Sequence, residues 1–352
     1  MPGCQVPHFG LKRQYKNIKA ELLYATDQAL REGCLMAGKF TSEFEDWLKL
    51  RTGCAYAITV HSGTQALEML ARYERDLFSP QDKLTPKILV PNLTYPATLN
   101  AFITAGWDIE LCDTDKNGLI DASQSSSGDY TCFVGLYGAP ATYNFSTGVI
   151  VDGAQHWLVA DGNVGEGMAI SFDPTKNLPS SGNGGAVVTH SLDFYNYIRR
   201  YRDNSKNEFS SIGTNSKMSE LDCAHLLVRS KYIDLWQARR KDIRIHYLNE
   251  LANVPVRCLS RGFRVHADQK FVIYTEDRNA LYTYLTSHGI ETKIHYDRAL
   301  SELPVTANMT KPTKLSTSVI LSRGVLSLPI YPELSDIEID FIIAKIKDFF
   351  AK

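Results

Sequence analysis

The sequence predicts an α/β fold, an open sheet wound with helices and followed by a smaller α/β lobe. Three observations predict it. Strand–turn–helix units occur twice, at residues 55–75 and 87–105, the repeat that builds such sheets. Two more short apolar strands, 148–151 and 168–172, each run into polar, chemically capable residues. Beyond Pro255 the composition shifts, and short strands alternate with helices again. At 352 residues the chain can hold a large domain and a small one, and the boundary is expected at 1–235 and 236–352.

Composition narrows the function classes. The hydrophobic fraction of 44% and charged fraction of 22% are those of an ordinary globular protein. A net charge of −1 gives no reason to expect a nucleic acid or an anionic membrane as partner. The seven cysteines (4, 34, 54, 112, 132, 223 and 258) are odd in number, with no C-x-x-C pair, which suits reduced thiols in a cytoplasm. No two Cys or His fall at metal-ligand spacing, so no metal is expected. No apolar run approaches the ~18 residues of a membrane helix, and the first residues lack the apolar core of a signal peptide.

Taken in order, residues 14–31 place Ile18, Leu22, Leu23 and Leu30 at helical spacing, with Gly33 as the stop. A second helix through Leu50 carries Phe44, Trp47 and Leu48 on one face, with Thr41 or Ser42 as its cap. A strand at 107–112 leads to Asp113, Thr114 and Asp115, turn formers given no chemistry. Residues 121–129 are a serine-rich polar loop, and 131–136 form a strand. A helix at 192–202 precedes a polar stretch, 203–211, and then one long helical region, 218–251. The second lobe reads as strand 270–274, helix 279–288, strand 291–294 and strand 325–328. It closes on a helix at 335–350, with Ile337, Ile339, Phe341, Ile342, Ile343 and Ile346 on its apolar face.

The chemistry concentrates at the strand ends. Asp152 follows one strand, and Lys176 follows the next within a loop of Asp, Pro, Thr and Asn. Ligands of open α/β sheets lie beyond the carboxyl ends of the strands, so the two side chains are expected in one crevice. An aldehyde cofactor needs such a pair. The lysine forms a Schiff base, and the acid keeps a pyridine nitrogen protonated so that the ring accepts electrons. Taken singly, a loop lysine is ordinarily just exposed and a strand-terminal Asp ordinarily forms a turn. The turn His61-Ser62-Gly63-Thr64 enters a helix and offers either an anion site or a plain N-cap. Tyr95 ends another strand, as a packing residue or a ring that stacks on a cofactor.

Together the motifs resemble the DegT/DnrJ/EryC1/StrS family of pyridoxal-phosphate-dependent sugar aminotransferases. The run from Ser171 to Asn177 is close to the family's S-F-[HY]-x-x-K-N/T, and Val151 to Gln155 keeps the Asp and Gln of E-D-A-A-[QH]. Ser62-Gly63-Thr64 matches its S-G-T turn, and residues 213–221 resemble G-Y-N-x-R-x-x-E-L. Leu326-Ser327-Leu328-Pro329 extends the likeness almost to the end of the chain.

The resemblance implies the aspartate-aminotransferase-like fold (fold type I), a large domain with a mixed, mostly parallel sheet and a smaller C-terminal α/β domain. It implies pyridoxal 5'-phosphate as cofactor and a homodimer with shared active sites. Lys176 would be the Schiff-base lysine and proton-transfer base, and Asp152 the partner of the ring nitrogen. Gln155 would meet the ring's phenolic oxygen. Gly63, Thr64, Ser171 and, from the neighbouring subunit, Asn215 would hold the phosphate. Tyr95 would stack on the ring, with His295 and Tyr296 on the substrate side and His156 a packed neighbour.

Three positions depart from the family pattern: Gly135 where it commonly has His, Thr214 for Tyr, and Lys217 for Arg. The reaction implied is transfer of an amino group, usually from glutamate, to a nucleotide-linked keto sugar. The amino sugar would serve polysaccharide or glycoside synthesis. The alternatives are an aminotransferase of cyclitol or aromatic precursors, a sugar dehydratase of the same fold, or a non-catalytic regulatory relative. The dehydratases that remove the 3-hydroxyl typically carry His in place of the lysine, and here Lys176 is present.

Overall fold

The structure, a computed structural model, describes residues 6–78, 85–121, 128–140, 147–206, 212–309 and 315–351. Cys4, residues 122–127 of the serine-rich loop and residues 207–211 of the polar stretch lie outside them. Helices α1 (Leu11–Glu32) and α2 (Lys39–Thr52) lead into β1 (Tyr56–Val60) and α3 (Gly63–Phe78). Then come β2 (Lys87–Pro91), α4 (Pro96–Ala105), β3 (Asp108–Cys112), β4 (Tyr130–Val134), β5 (Gly148–Asp152), β6 (Gly167–Ser171) and β7 (Gly185–Thr189). Helices α5 (Leu192–Tyr201), α6 (Glu220–Ser230) and α7 (Ile233–Glu250) follow. The rest is β8 (Arg257–Cys258), β9 (Phe271–Tyr274), α8 (Arg278–Ser287), α9 (Ser316–Gly324), β10 (Val325–Leu328) and α10 (Asp336–Phe350).

Strands β1 to β7 form one sheet in the order β1-β7-β6-β5-β4-β2-β3. Strands β6, β5, β4, β2 and β3 run parallel, while β7 lies antiparallel between β6 and β1. This is the mixed, mostly parallel sheet expected. Strand β7 itself is not foreseen: all five residues are buried, so it shows no alternation. A second, antiparallel sheet has the order β10-β9-β8.

Two apolar cores follow the two sheets. One holds Phe44, Leu67, Phe102, Phe133 and Phe172, the other Tyr247, Phe271, Ile330 and Ile342. Helix α7 serves both, with Ile233 and Trp236 in the first and Ile243 and Tyr247 in the second. Val6, from the far end of the chain, packs into the second. Among the described residues no helix is long and apolar enough to cross a membrane.

Several local expectations are corrected. In α1 the buried row is Gln14, Ile18, Leu22, Ala25 and Ala29, and Leu23 and Leu30 face outward. Leu23 and Leu30 each follow a buried position by one residue, which turns them about 100° away from the buried face. Helix α2 begins at Gly38 with no side-chain cap of its own. Its first amides are taken instead by the buried Glu220 carboxylate, which accepts from Gly38 (2.8 Å), Phe40 (2.8 Å) and Thr41 (3.0 Å) N–H. An anion there also meets the positive end of the helix dipole.

The region 218–251 is two helices, broken at Lys231-Tyr232 with no Gly or Pro to mark it. Residues 291–294 form no strand, because single bridges at Ile290 and Lys293 do not extend into a ladder. Ile337 is exposed in the first turn of α10, and Ile339, Ile342, Ile343 and Ile346 carry the buried face. Asp113 has the structural role expected of it, accepting the Thr317 and Ser318 N–H groups at the start of α9.

Candidate active site

The strand order decides what meets. Strands β1, β2, β4, β5 and β6 all point their carboxyl ends to one edge, and each is followed there by a short turn. A cavity of about 440 Å³ opens at that edge. Of the residues the sequence singles out, Gly63, Thr64, Tyr95, Asp152, Gln155, Ser171, Lys176, His295 and Tyr296 all line it. Asn215 does not. It is exposed and forms a bridge with Asp203, while Lys217 ion-pairs with the same Asp203.

The α3 turn is built for an anion. Ser62 Oγ caps the Gln65 N–H at 3.2 Å. The first-turn amides of a helix have no partner within it, so they are left for a ligand. Gly63 lets this turn close on β6, since a methyl group there would lie 2.7 Å from Ser171 Cβ. Gly185 does the same from β7, where a methyl group would lie 2.3 Å from the Ser62 carbonyl carbon.

Asp152 sits at the end of β5 and Lys176 in the loop after β6. Asp152 accepts from the Thr98 hydroxyl (2.8 Å) and from the Ala154 N–H (3.1 Å). Burial pushes its pKa above the usual carboxylate value, and those two bonds and Lys176 hold it back. Burial lowers the pKa of Lys176, against the pull of Asp152 and Asp173. A lysine poised this way yields a free amine more readily than a solvated one. Gln155 turns its Oε1 inward to the Tyr137 N–H (2.7 Å), which directs its Nε2 towards the Tyr296 hydroxyl at 3.4 Å. The Tyr95 ring is 57% exposed and tilted at 40° against Tyr296, with ring centres 5.8 Å apart.

The second lobe is latched to the lysine loop. Asn177 Nδ2 donates to the Ala267 carbonyl (2.6 Å), and Gln269 Nε2 donates to the Thr175 carbonyl (2.9 Å). Asp268 is held by Arg244 at 2.6 Å and by His266 at 2.9 Å. The next residue but one, Lys270, is thereby set into the cavity wall. Sequence reasoning misses Lys270, Thr98, Asp173 and Thr175 as site residues. Thr98, in the first turn of α4, closes the T-[aromatic]-x-A/S-T pattern that residues 94–98 resemble, and the pattern alone gives it no role.

The departure at Gly135 has a structural counterpart. A methyl group on Gly135 would lie 2.2 Å from His156 Cγ, so the His156 ring fills the space a side chain at 135 would need. That ring is fully buried, lies edge-on to Phe133 with centres 5.5 Å apart, and makes no hydrogen bond through either nitrogen. Burial lowers its pKa to about 4, so it is neutral in the fold. His156 is a packed neighbour.

Comparison with known proteins gives first the class. A crystal structure of a DegT DnrJ EryC1 StrS aminotransferase from Brucella abortus superposes with a TM-score of 0.90 at 26% identity, covering 99% of this chain and 100% of that one. The fold is that of the pyridoxal-phosphate-dependent aminotransferases, and the residues at the strand ends fit the cofactor: an anion turn, an acid and a poised amine. The chain belongs to the DegT/DnrJ/EryC1/StrS aminotransferase family, whose model matches residues 16–125 and 153–347. The erythromycin biosynthesis sensory transduction protein EryC1 of Saccharopolyspora erythraea is 29% identical over 97% of this chain and 99% of its own length. The dTDP-3-amino-3,4,6-trideoxy-alpha-D-glucose transaminase of Streptomyces venezuelae is 29% identical over 94% of this chain and 92% of its own.

The Gly135–His156 contact makes a sharp prediction. Gly135→Ala should destabilise the fold by about 1–3 kcal/mol, because the added methyl collides with a packed ring. In the double variant with His156→Ala part of that penalty should vanish, because the Ala139 carbonyl oxygen, 2.6 Å from the same methyl position, still crowds it, and the coupling energy should be about 0.5 kcal/mol or more. Urea denaturation of the four proteins measures it, and additive losses would contradict the contact.

Proposed function

We propose that this aminotransferase moves an amino group from glutamate to the keto group of a nucleotide-linked sugar, as one half of a two-fold dimer. The observation that carries this reading is the placement of Asp152 and Lys176 at neighbouring strand ends, beside the α3 turn, in one cavity. When bound, pyridoxal phosphate supplies an aldehyde for an amine to capture and a ring that accepts electrons. Lys176 would hold the cofactor through its amine and, once released, would act as the base that takes the proton from the amino-bearing carbon of the donor. Asp152 keeps a proton on the ring nitrogen, and Thr98 fixes the orientation of its carboxylate. Gly63, Thr64 and Ser171 take the phosphate, Gln155 the phenolic oxygen, and Tyr95 one face of the ring. His295 and Tyr296 face the substrate.

The sugar substrate is supported by the Streptomyces venezuelae relative, a transaminase named for a dTDP-linked amino sugar. The regulatory alternative draws on relatives' names, EryC1 and a pleiotropic regulatory protein of Geobacillus stearothermophilus, whereas this chain retains the lysine, the acid and the anion turn. The dimer is supported by Asn215, which is exposed and away from its own chain's cavity and so free to serve a neighbour's phosphate. The division into residues 1–235 and 236–352 is supported by the two cores that meet along α7. A cytoplasmic site is supported by six described cysteines, all free thiols.

Holo-protein incubated with glutamate and a panel of dTDP- and UDP-linked keto sugars should turn over with at least one of them, releasing 2-oxoglutarate beyond the one equivalent per site that glutamate and the cofactor give alone. Asp152→Asn should slow that release by orders of magnitude while keeping much of the cofactor. No release beyond that equivalent with any sugar, from protein that carries its cofactor, would remove the sugar reading.

The dimer is tested by subunit mixing. Lys176→Ala and Asn215→Glu proteins should each be inactive. A heterodimer of the two has one site with both lesions and one with neither, so activity should return to about half of the native dimer's. No recovery after proven subunit exchange would mean that Asn215 serves its own chain or no site.

A further inference from the structure

Lys270 and His295 line the cavity on the side built by the second lobe, the His8 ring packs beside His295, and among the described residues no carboxylate is bonded to any of the three side chains. Lys270 is 6% exposed, and the polar contact its ammonium makes is with a ring face, 5.8 Å from the centre of Phe9. His8 is 4% exposed, its ring centre is 6.0 Å from that of His295, and its Nδ1 is buried without a hydrogen-bond partner. His295 is oriented by its Nδ1, which shares a 2.8 Å hydrogen bond with the Ser327 hydroxyl. The nearby acid, Glu291, is engaged by the His8 backbone N–H (3.1 Å) and by Lys293 (2.7 Å).

The electrostatics agree with the geometry. The pKa of Lys270 lies well below that of an ordinary lysine, through burial and through repulsion from Lys176 and Arg240, with Asp173 opposing. The histidines are pushed down too, His295 to about 2 and His8 to about 3, by burial and then by Lys270. Burial and mutual repulsion disfavour the charged forms of all three groups, and an anion beside them would restore their protons. Buried cations are paired in native proteins, and the missing partner of an open cavity is an anion that enters it.

We propose that Lys270, with His8 and His295, is an anion subsite that takes a carboxylate of the substrate. The inference rests on the aminotransferase reading, which fixes the chemistry of the entering group. The phosphate end of the cavity is served by the α3 turn, so this corner is left for the substrate's own charge. An amino acid that gives up its amino group carries a carboxylate one bond from the reacting carbon. That carboxylate must find a cation close to Lys176, and Lys270 lies within electrostatic reach of it. Latching to the Lys176 loop through Asn177 and Gln269 holds the two lysines in register. A keto sugar that is itself an acid would offer the same group, and the experiment separates the two sources.

Holo-protein with its cofactor absorption band intact is titrated calorimetrically with 2-oxoglutarate, with a UDP-hexose and with the corresponding UDP-hexuronic acid. Lys270→Met should weaken 2-oxoglutarate by about tenfold to a hundredfold, the scale of a lost charge-assisted hydrogen bond. Its cofactor band should persist, and its affinity for the neutral UDP-hexose should be unchanged. A preference for the uronic acid that disappears in the variant would assign the subsite to the sugar. Loss confined to 2-oxoglutarate assigns it to the amino donor.

Unchanged affinity for both carboxylates would overturn the proposal. A wild-type protein with no cofactor band would instead overturn the reading beneath it. His8→Leu, whose side chain is outside the cofactor-binding set, is measured alongside in case the lysine variant does not fold. It should weaken a carboxylate several-fold, and an unchanged constant would count against the subsite.

Discussion

A carboxylate and an amine are held half-buried at one sheet edge, and burial drives both towards their neutral forms while each pulls the other back. That balance is the condition for the chemistry. A fully solvated lysine would stay protonated and inert, and an acid with no Thr98 and Ala154 to hold it would lose the charge it needs. The rest of the structure keeps the pair there. Strands β5 and β6 are adjacent and parallel, so their carboxyl ends fall side by side, and β1 delivers the anion turn two strands away.

The second lobe completes the site rather than merely covering it. Its segment from Ala267 to Lys270 meets both neighbours of Lys176, through the Thr175 carbonyl and the Asn177 side-chain amide, and donates to the carbonyls of Tyr137 and Gly138. Helix α7 carries both cores, so the lobes are coupled through packing as well as through hydrogen bonds. Residues from one end of the chain to the other thus meet at the cavity. His8 lies beside His295, and both lie near Lys270.

Lys176, Asp152 and the Ser62–Thr64 turn were legible in the sequence because local rules place them: a strand ends, a short turn follows, and the sheet supplies the direction. Lys270 was not. In sequence it is the residue before a strand, and only the fold sets it in the wall of the cavity that Lys176 also lines. The cap of α2 was hidden for the same reason, since Glu220 reaches Gly38 from 182 residues away and the expected Thr41 or Ser42 cap was a local guess. The break between α6 and α7 and the buried strand β7 were missed for want of a Gly, a Pro or an alternation to show them. At Gly135 the sequence showed a missing side chain, and only the structure shows the His156 ring in its place.

Two buried amines line the cavity, and Lys176 rather than Lys270 is proposed to capture the cofactor. Reduction of the holo-protein with borohydride, followed by peptide mapping, tests it directly. A pyridoxyl group should appear on Lys176 alone. A group on Lys270 would contradict it, and would exchange the roles of the two lysines.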